Sequence, residues 1–186
     1  PGFLIMEKEV NRVIIFIDWR NVYHILKHLF PNGKPNDFNF EKFVKYLAGE
    51  RNLIRTYYYN VPLDIMFDED KYMKQQKFFD KIKRLPGFIF VLCRMQKKKV
   101  DGKIIYEAKE DDIHLAVDMV KLAYNDAYDT TILVSSDGDF VPAIQAVKEI
   151  RKNVENVGFE NKFSYHLQHQ SDRFIKLKKE IIKNFF

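Results

Sequence analysis

Asp137 and Asp139 stand one glycine apart at the end of the run Thr131-Thr-Ile-Leu-Val-Ser-Ser-Asp-Gly-Asp-Phe140, and they are the first residues in this chain whose spacing could do chemistry. Ile132, Leu133 and Val134 are continuously apolar rather than alternating, the pattern of a strand buried on both faces of a parallel α/β sheet. Ligands gather at the carboxyl ends of such strands. Two acids held together there repel, so one stays protonated unless a cation neutralises the pair. A hard, oxygen-preferring ion, Mg2+ or Mn2+, is the expected cation. The same residues admit a plainer role, in which Asp-Gly forms a turn and Asp139 caps the next helix.

Further acids follow from other segments. Val13-Ile-Ile-Phe-Ile17 is a second continuous apolar run, and it ends in Asp18. Lys109-Glu-Asp-Asp112 opens a helix predicted to run through Tyr124, and acids in a first turn suit the helix dipole. Ala116, Met119, Val120 and Ala123 form the apolar stripe of that helix, and counting back from it places Asp112 on the core side and Asp111 on a solvated face. A carboxylate on a core-facing stripe is costly unless it meets a partner. Asp18, Asp112, Asp137 and Asp139 are therefore expected at one end of one sheet. If the first strand and the Asp-Gly-Asp strand are neighbours across a chain reversal, the crevice between them is the expected site. Carboxylates without a histidine or cysteine cluster favour Mg2+ or Mn2+ over Zn2+. Such a site suits phosphodiester hydrolysis, in which a metal activates water and neutralises the leaving oxygen.

The elements that must position these acids alternate between strand and helix. After Asp18, residues Val22, Ile25, Leu26, Leu29 and Phe30 recur at helical spacing until Pro31-Asn32-Gly33. Asp37 to Asn39 can cap a second helix with Phe40, Phe43, Val44 and Leu47 inward. A strand over 53–61, an acidic connection over 64–70, a helix over 72–85 and a strand over 88–95 follow. Lys97 to Tyr106 reads as a basic hairpin, or as an edge strand guarded by lysines. Pro142 lies in the first turn of the helix after Asp139, residues 154–159 form a last strand, and 163–186 is predicted helical. The fold class is α/β with a mostly parallel sheet. The 186 residues suit one domain over 12–160, with 1–11 as a lead and 161–186 as a C-terminal helical segment packed on it.

A net charge of +5 and a pI near 9.1 favour an anionic partner. Cys93 stands alone, so no internal disulfide forms, and a buried thiol in a reducing compartment is expected. No run is long enough to span a membrane and no signal peptide is evident, so the expected location is cytoplasmic.

Phe16-Ile-Asp-Trp-Arg-Asn21, Lys109 to Asp112 with Leu115-Ala-Val-Asp-Met119, Leu133-Val-Ser-Ser-Asp-Gly-Asp-Phe-Val-Pro142, Val157-Gly-Phe159 and Ser171-Asp-Arg-Phe-Ile175 together carry a resemblance. In that order they resemble the NYN domain family, the LabA-like (DUF88) branch of the PIN-like nucleases. The resemblance implies a three-layer α/β/α PIN-like fold and a metal-dependent endoribonuclease. It places the acidic site on Asp18, Asp112, Asp137 and Asp139, with Asn21 as the polar residue of the first motif and Asp118 in support. The chain departs from the pattern at Trp19, at Ser136, and at Glu110-Asp111 in place of a glycine and an apolar residue.

The expected roles follow. Asp18, Asp112 and Asp137 hold one or two metals, and Asp139 positions water or a second metal. Asn21 bonds a phosphate or water, or satisfies the core, while Ser135 or Ser136 fixes the carboxylates. Arg20, Lys97, Lys98, Lys99, Lys103 and Lys109 are candidates for the RNA backbone. Trp19 or Tyr58 could stack on a base or simply pack. The five histidines show no ligand spacing; His24 and His28 share a helix face without a third ligand. RNA is the expected partner, and a second copy of the chain could join it. The rivals are a non-catalytic RNA-binding or regulatory module and a metal-dependent phosphatase; the latter needs an acid where Arg20 stands.

Overall fold

The computed structural model describes residues 10–33, 35–63 and 68–186, and leaves the side chains of residues 103 and 106–109 undescribed. The elements in chain order are β1 (Arg12–Asp18), α1 (Trp19–Leu29), α2 (Phe40–Ala48), β2 (Asn52–Asn60), α3 (Glu69–Lys83), β3 (Phe88–Leu92), β4 (Arg94–Val100), β5 (Lys103–Lys109), α4 (Asp111–Tyr124), β6 (Thr130–Val134), α5 (Val141–Glu149), β7 (Asn153–Phe159), α6 (Tyr165–Gln170), β8 (Arg173–Leu177) and α7 (Lys179–Lys183). Among the described residues no helix is long and apolar enough to cross a membrane.

A six-stranded sheet in the order β3-β2-β1-β6-β7-β8 forms the middle layer, and all its pairings are parallel. The chain moves outward from β1 to β3, returns, and moves outward again from β6 to β8. The strand order therefore reverses between β1 and β6, which pair directly through Phe16 and Leu133. Helices cover both faces, because the pleat of β1 sends Val13, Ile15 and Ile17 into one core and Ile14 and Phe16 into the other. The first core contains Val22 and Leu26 of α1, Phe43 of α2, Phe79 of α3 and Ile182 of α7. The second contains Leu115 and Met119 of α4, Ile144 and Val147 of α5 and Leu167 of α6.

Helix starts follow capping chemistry. The Asn39 side chain accepts from the Lys42 amide at 2.9 Å, and the Asp68 carboxylate accepts from the Lys71 amide at 2.9 Å. Gly49 ends α2 with φ +59, a conformation that other residues adopt at a cost.

Three expectations are corrected. The strand predicted over 88–95 is two elements: the parallel sheet stops at Leu92, and beyond the buried Cys93 the chain enters a separate antiparallel ribbon of β4 and β5. The turn of that ribbon, Asp101-Gly102, has positive φ at both residues, as a two-residue hairpin requires. The second correction concerns the C-terminal segment, predicted helical throughout. It holds α6, the parallel edge strand β8 and α7. Phe174, Leu177 and Ile181 are spaced for a helix, but pairing of Phe174 with Asn156 and of Leu177 with Phe159 makes 173–177 a strand. Leu167, Leu177 and Ile182 lie in the two cores, so this segment is integral to them. The acidic connection expected over 64–70 is helical from Glu69, and residues 64–67 lie outside the described residues.

Gly158 in β7 marks a close approach. A Cβ there would lie 2.6 Å from the Phe163 Cβ and 2.7 Å from the Phe174 Cζ. Only glycine lets the turn after β7 and the ring from β8 pack against that strand.

Candidate acidic site

The carboxyl ends of β1 and β6 meet at the point where the strand order reverses, where open α/β sheets place their ligands. Asp18, the last residue of β1, is buried, and it also caps α1. Its Oδ1 accepts from the Asn21 amide at 3.1 Å and its Oδ2 from the Ser135 hydroxyl at 2.8 Å. Burial pushes the Asp18 carboxyl up to about 7; the two hydrogen bonds oppose that shift, and Asp112 and Asp111 reinforce it. Ser135 is fully buried, and its oxygen accepts from the Asp137 amide at 3.1 Å while donating to Asp18. One hydroxyl thus ties the two strand ends together.

Asn21 and Ser136 have positioning roles. The Asn21 Oδ1 accepts from the Ser136 amide at 3.0 Å, and the Ser136 hydroxyl donates to the Lys162 carbonyl at 2.7 Å. The capping role expected of Asp139 falls instead to Asp137, two residues earlier: its Oδ1 accepts from the Asp139 amide at 3.0 Å, which shapes a single 3-10 turn over 138–140 before α5. Asp139 itself is exposed.

The expectation for α4 is corrected. Asp111, not Asp112, continues the buried stripe Leu115, Met119 and Ala123, and it is 6 % exposed; Asp112 is half-buried beside it. The stripe drawn from Ala116 and Val120 was rotated by one position, and on a helix one position is about 100°. The Asp111 Oδ2 is buried without a hydrogen-bond partner, and the Arg20 guanidinium stands off at 3.7 Å. Burial raises the pKa of Asp112, with Asp111 and Asp137 adding to it. Glu110 faces away into an ion pair with Arg94 at 2.7 Å. Asp118 accepts from the Tyr59 hydroxyl at 2.8 Å, which ties α4 to β2.

Other candidates fall elsewhere. Trp19 and Tyr58 are buried, with ring centroids 5.7 Å apart in the aromatic core, so neither can stack on a base. Lys97, Lys98 and Lys99 lie on the β4 ribbon, and the side chains of Lys103 and Lys109 are outside the described residues.

Sequence reasoning missed the burial of Asp111, the part played by Asn156, and the placing of Lys162 beside the face that His24 and His28 share. Asn156 is fully buried in β7, and its amide donates to the carbonyls of Leu133 and Ser135 at 3.1 and 2.9 Å, clamping the end of β6. An amide within a buried apolar strand was the available signal. Lys162 joins Arg20, Asn21, His24, Ile25, His28 and Asp137 around a cleft of about 370 Å³.

The donor set is carboxylate throughout, and the unpaired Asp111 oxygen beside raised carboxyls fits a hard divalent ion. Among the described residues no three acidic, histidine or cysteine side chains stand close enough together to hold an ion as they are placed. The donors converge on one edge without being drawn together.

The chain is thus a three-layer α/β/α domain with carboxylates at the switch point of its parallel sheet. Residues 12–178 match the NYN domain model, and the chain belongs to the NYN domain family, within the PIN-like nuclease superfamily. It is similar to the low amplitude and bright protein LabA of Synechococcus elongatus, with 27 % identity over 90 % of this chain and 84 % of that protein. It is also similar to an uncharacterized protein of Methanocaldococcus jannaschii, 41 % identical over 73 residues that cover 39 % of this chain and 30 % of that protein's length. The crystal structure of a protein of unknown function from Vibrio parahaemolyticus shares the fold, with a TM-score of 0.65 at 21 % identity over 92 % of this chain and 96 % of that one.

Proposed function

We propose that the protein is a divalent-metal-dependent ribonuclease that hydrolyses phosphodiester bonds in single-stranded or structured RNA. The observation that carries this reading is the buried Asp111 oxygen, which has no hydrogen-bond partner, beside Asp18 and Asp112, whose carboxyls burial and neighbouring acids raise. Membership in the NYN family supports a nuclease-type activity. Asp18, Asp111, Asp112 and Asp137 would hold Mg2+ or Mn2+, with Asp139 at the exposed rim. When bound, the ion supplies charge neutralisation at the phosphate and activation of water. The chain's own residues do the rest. Ser135 and Asn156 fix the strand ends, and Asn21 sets the direction of the Ser136 backbone. Arg20, half-exposed beside Asp111, offers a guanidinium to a phosphate approaching the edge. A cytoplasmic location accords with the single buried thiol, which burial and nearby acids push up to about 12 and so keep neutral.

One observation favours a second reading, a non-catalytic RNA-binding or regulatory module: the carboxylates are not gathered tightly enough to hold an ion without movement. The phosphatase reading is weakened, because the position where it needs an acid holds Arg20, which faces Asp111. Incubation of single-stranded RNA with Mn2+ decides among them. Cleavage that chelator abolishes and that disappears in Asp137→Asn and Asp111→Asn supports the nuclease. RNA binding without cleavage in Mg2+ or Mn2+ establishes the module instead, and phosphate release from a small monoester without RNA cleavage restores the phosphatase.

A further inference from the structure

We propose that the cleft along α1 is a track for the phosphodiester backbone of a single RNA strand leading away from the acidic edge. The proposal rests on the reading of the acidic edge as the reacting end of an RNA site. Arg20, His24 and His28 recur every four residues on the exposed side of α1, so three cationic or hydrogen-bond-donating side chains line one wall over about 12 Å. Lys162 lines the cleft from another segment, the turn after β7. The backbone of that turn is fixed: the Lys162 amide donates to the Phe159 carbonyl at 2.9 Å, and its carbonyl accepts from the Phe159 amide at 3.2 Å and from the Ser136 hydroxyl at 2.7 Å. Ile25, which is buried, and Asn21 complete the lining.

Among the described residues Asp137 is the sole acid lining the cleft. The charge therefore changes sign along it, from carboxylate at the acidic edge to guanidinium, imidazole and ammonium beyond. Phosphate contacts demand positive charge and N–H donors without a fixed base sequence, and imidazole donates an N–H in either protonation state. Arg20 belongs to both regions, since it lines the cleft and faces Asp111. A strand lying in the cleft would thus pass its next phosphate to the carboxylates. A cleft of about 370 Å³ offers room to the backbone of one strand, and competition by duplex RNA tests whether a paired strand is accepted as well.

Fluorescence anisotropy with a labelled single-stranded oligoribonucleotide of mixed sequence, in chelator so that no cleavage occurs, tests the track. His24→Ala/His28→Ala and Lys162→Glu are each expected to weaken binding about 10-fold and to make the dependence of affinity on salt shallower. Lys74→Glu, on the exposed side of α3, reverses one charge elsewhere and is expected to change affinity less than about 2-fold. Circular dichroism melting confirms that each variant is folded. Unchanged affinity and salt slope in both cleft variants overturns the track, as does failure of the wild-type protein to bind RNA. Equal competition by duplex RNA overturns the single-strand assignment, and equal competition by polyglutamate overturns the nucleic-acid assignment. Loss of binding in the cleft variants of a protein that cleaves no RNA with any divalent metal upholds the track and defeats the nuclease reading.

Discussion

The two ends of β1 carry the same kind of side chain in opposite circumstances. Where the strand begins, Arg12 donates from its amide to Asp129 at 2.8 Å and from its guanidinium to Asp129 at 2.7 Å and Asp126 at 3.0 Å. Lys152 closes the group through Asp126. Lys152 and Arg12 hold the Asp126 carboxyl below the usual range, and Arg12 does the same for Asp129. Where the strand ends, Arg20 stands 3.7 Å from Asp111 without a hydrogen bond to it, and the carboxyls of Asp18 and Asp112 are raised. One end is matched charge for charge and the other is left unbalanced. Unbalanced burial of carboxylates opposes folding, and that contrast with the matched end is what the proposed metal site accounts for.

Equivalent substitutions at the two ends should separate these circumstances most sharply. Asp137→Asn is expected to lower Mn2+-dependent RNA cleavage about 100-fold or more while leaving the urea midpoint unchanged. Asp129→Asn should do the reverse, with full cleavage and a lower midpoint. If Asp129→Asn removes activity as well, the division of labour between the ends is wrong. A second effect lies beside the matched end, where Arg51 bonds both oxygens of the buried Glu155 at 2.9 and 3.1 Å. Arg51→Ala strands that carboxylate and should cost about 3 kcal/mol in urea unfolding; a cost near zero would show that Arg173, 3.6 Å from Glu155, suffices alone.

The pH dependence of stability in chelator has opposite signs at the two ends. The Asp18 carboxyl is raised in the folded protein, so its contribution is fully present below pH ~4 and is lost as pH rises through about 7. Asp126 and Asp129 are lowered, so theirs is present above the ordinary carboxylate range and is lost as pH falls through their folded values. Asp18→Asn should therefore flatten the fall in stability between pH 4 and 8 by on the order of 4 kcal/mol. An unaltered slope between pH 4 and 8 would show that Asp18 is ionised throughout.

The smallest effect discriminates between neighbours. Asp111→Asn should raise metal-free stability by about 1 kcal/mol, because it removes a buried charge whose oxygen has no hydrogen-bond partner and whose facing cation, Arg20, stands off at 3.7 Å. Asp112→Asn should raise it less. Reversal of that order would return the buried stripe to Asp112.

Legibility from the sequence varied with how local the determining contacts are. The central strands were readable because Val13 to Ile17 and Ile132 to Val134 are continuously apolar, which only burial on both faces explains. Asp18 and Asp137 were readable as residues at the ends of those strands. The turn of α4 was not, because adjacent acids differ by about 100° and only contact with the sheet fixes which of them faces inward. Strand β8 was hidden because its apolar spacing fits helix as well as strand, and pairing with β7 decides between them. The cleft wall of His24 and His28 lacked meaning until the turn bearing Lys162, far along the chain, came beside it.

Gly158 bears on that wall. The turn that carries Lys162 is seated against β7 where a single methyl group would meet Phe163 and Phe174 below 3 Å. Gly158→Ala would have to displace Phe163, the neighbour of Lys162, or the Phe174 ring. A packing position inside the sheet would then govern a surface that it does not itself reach.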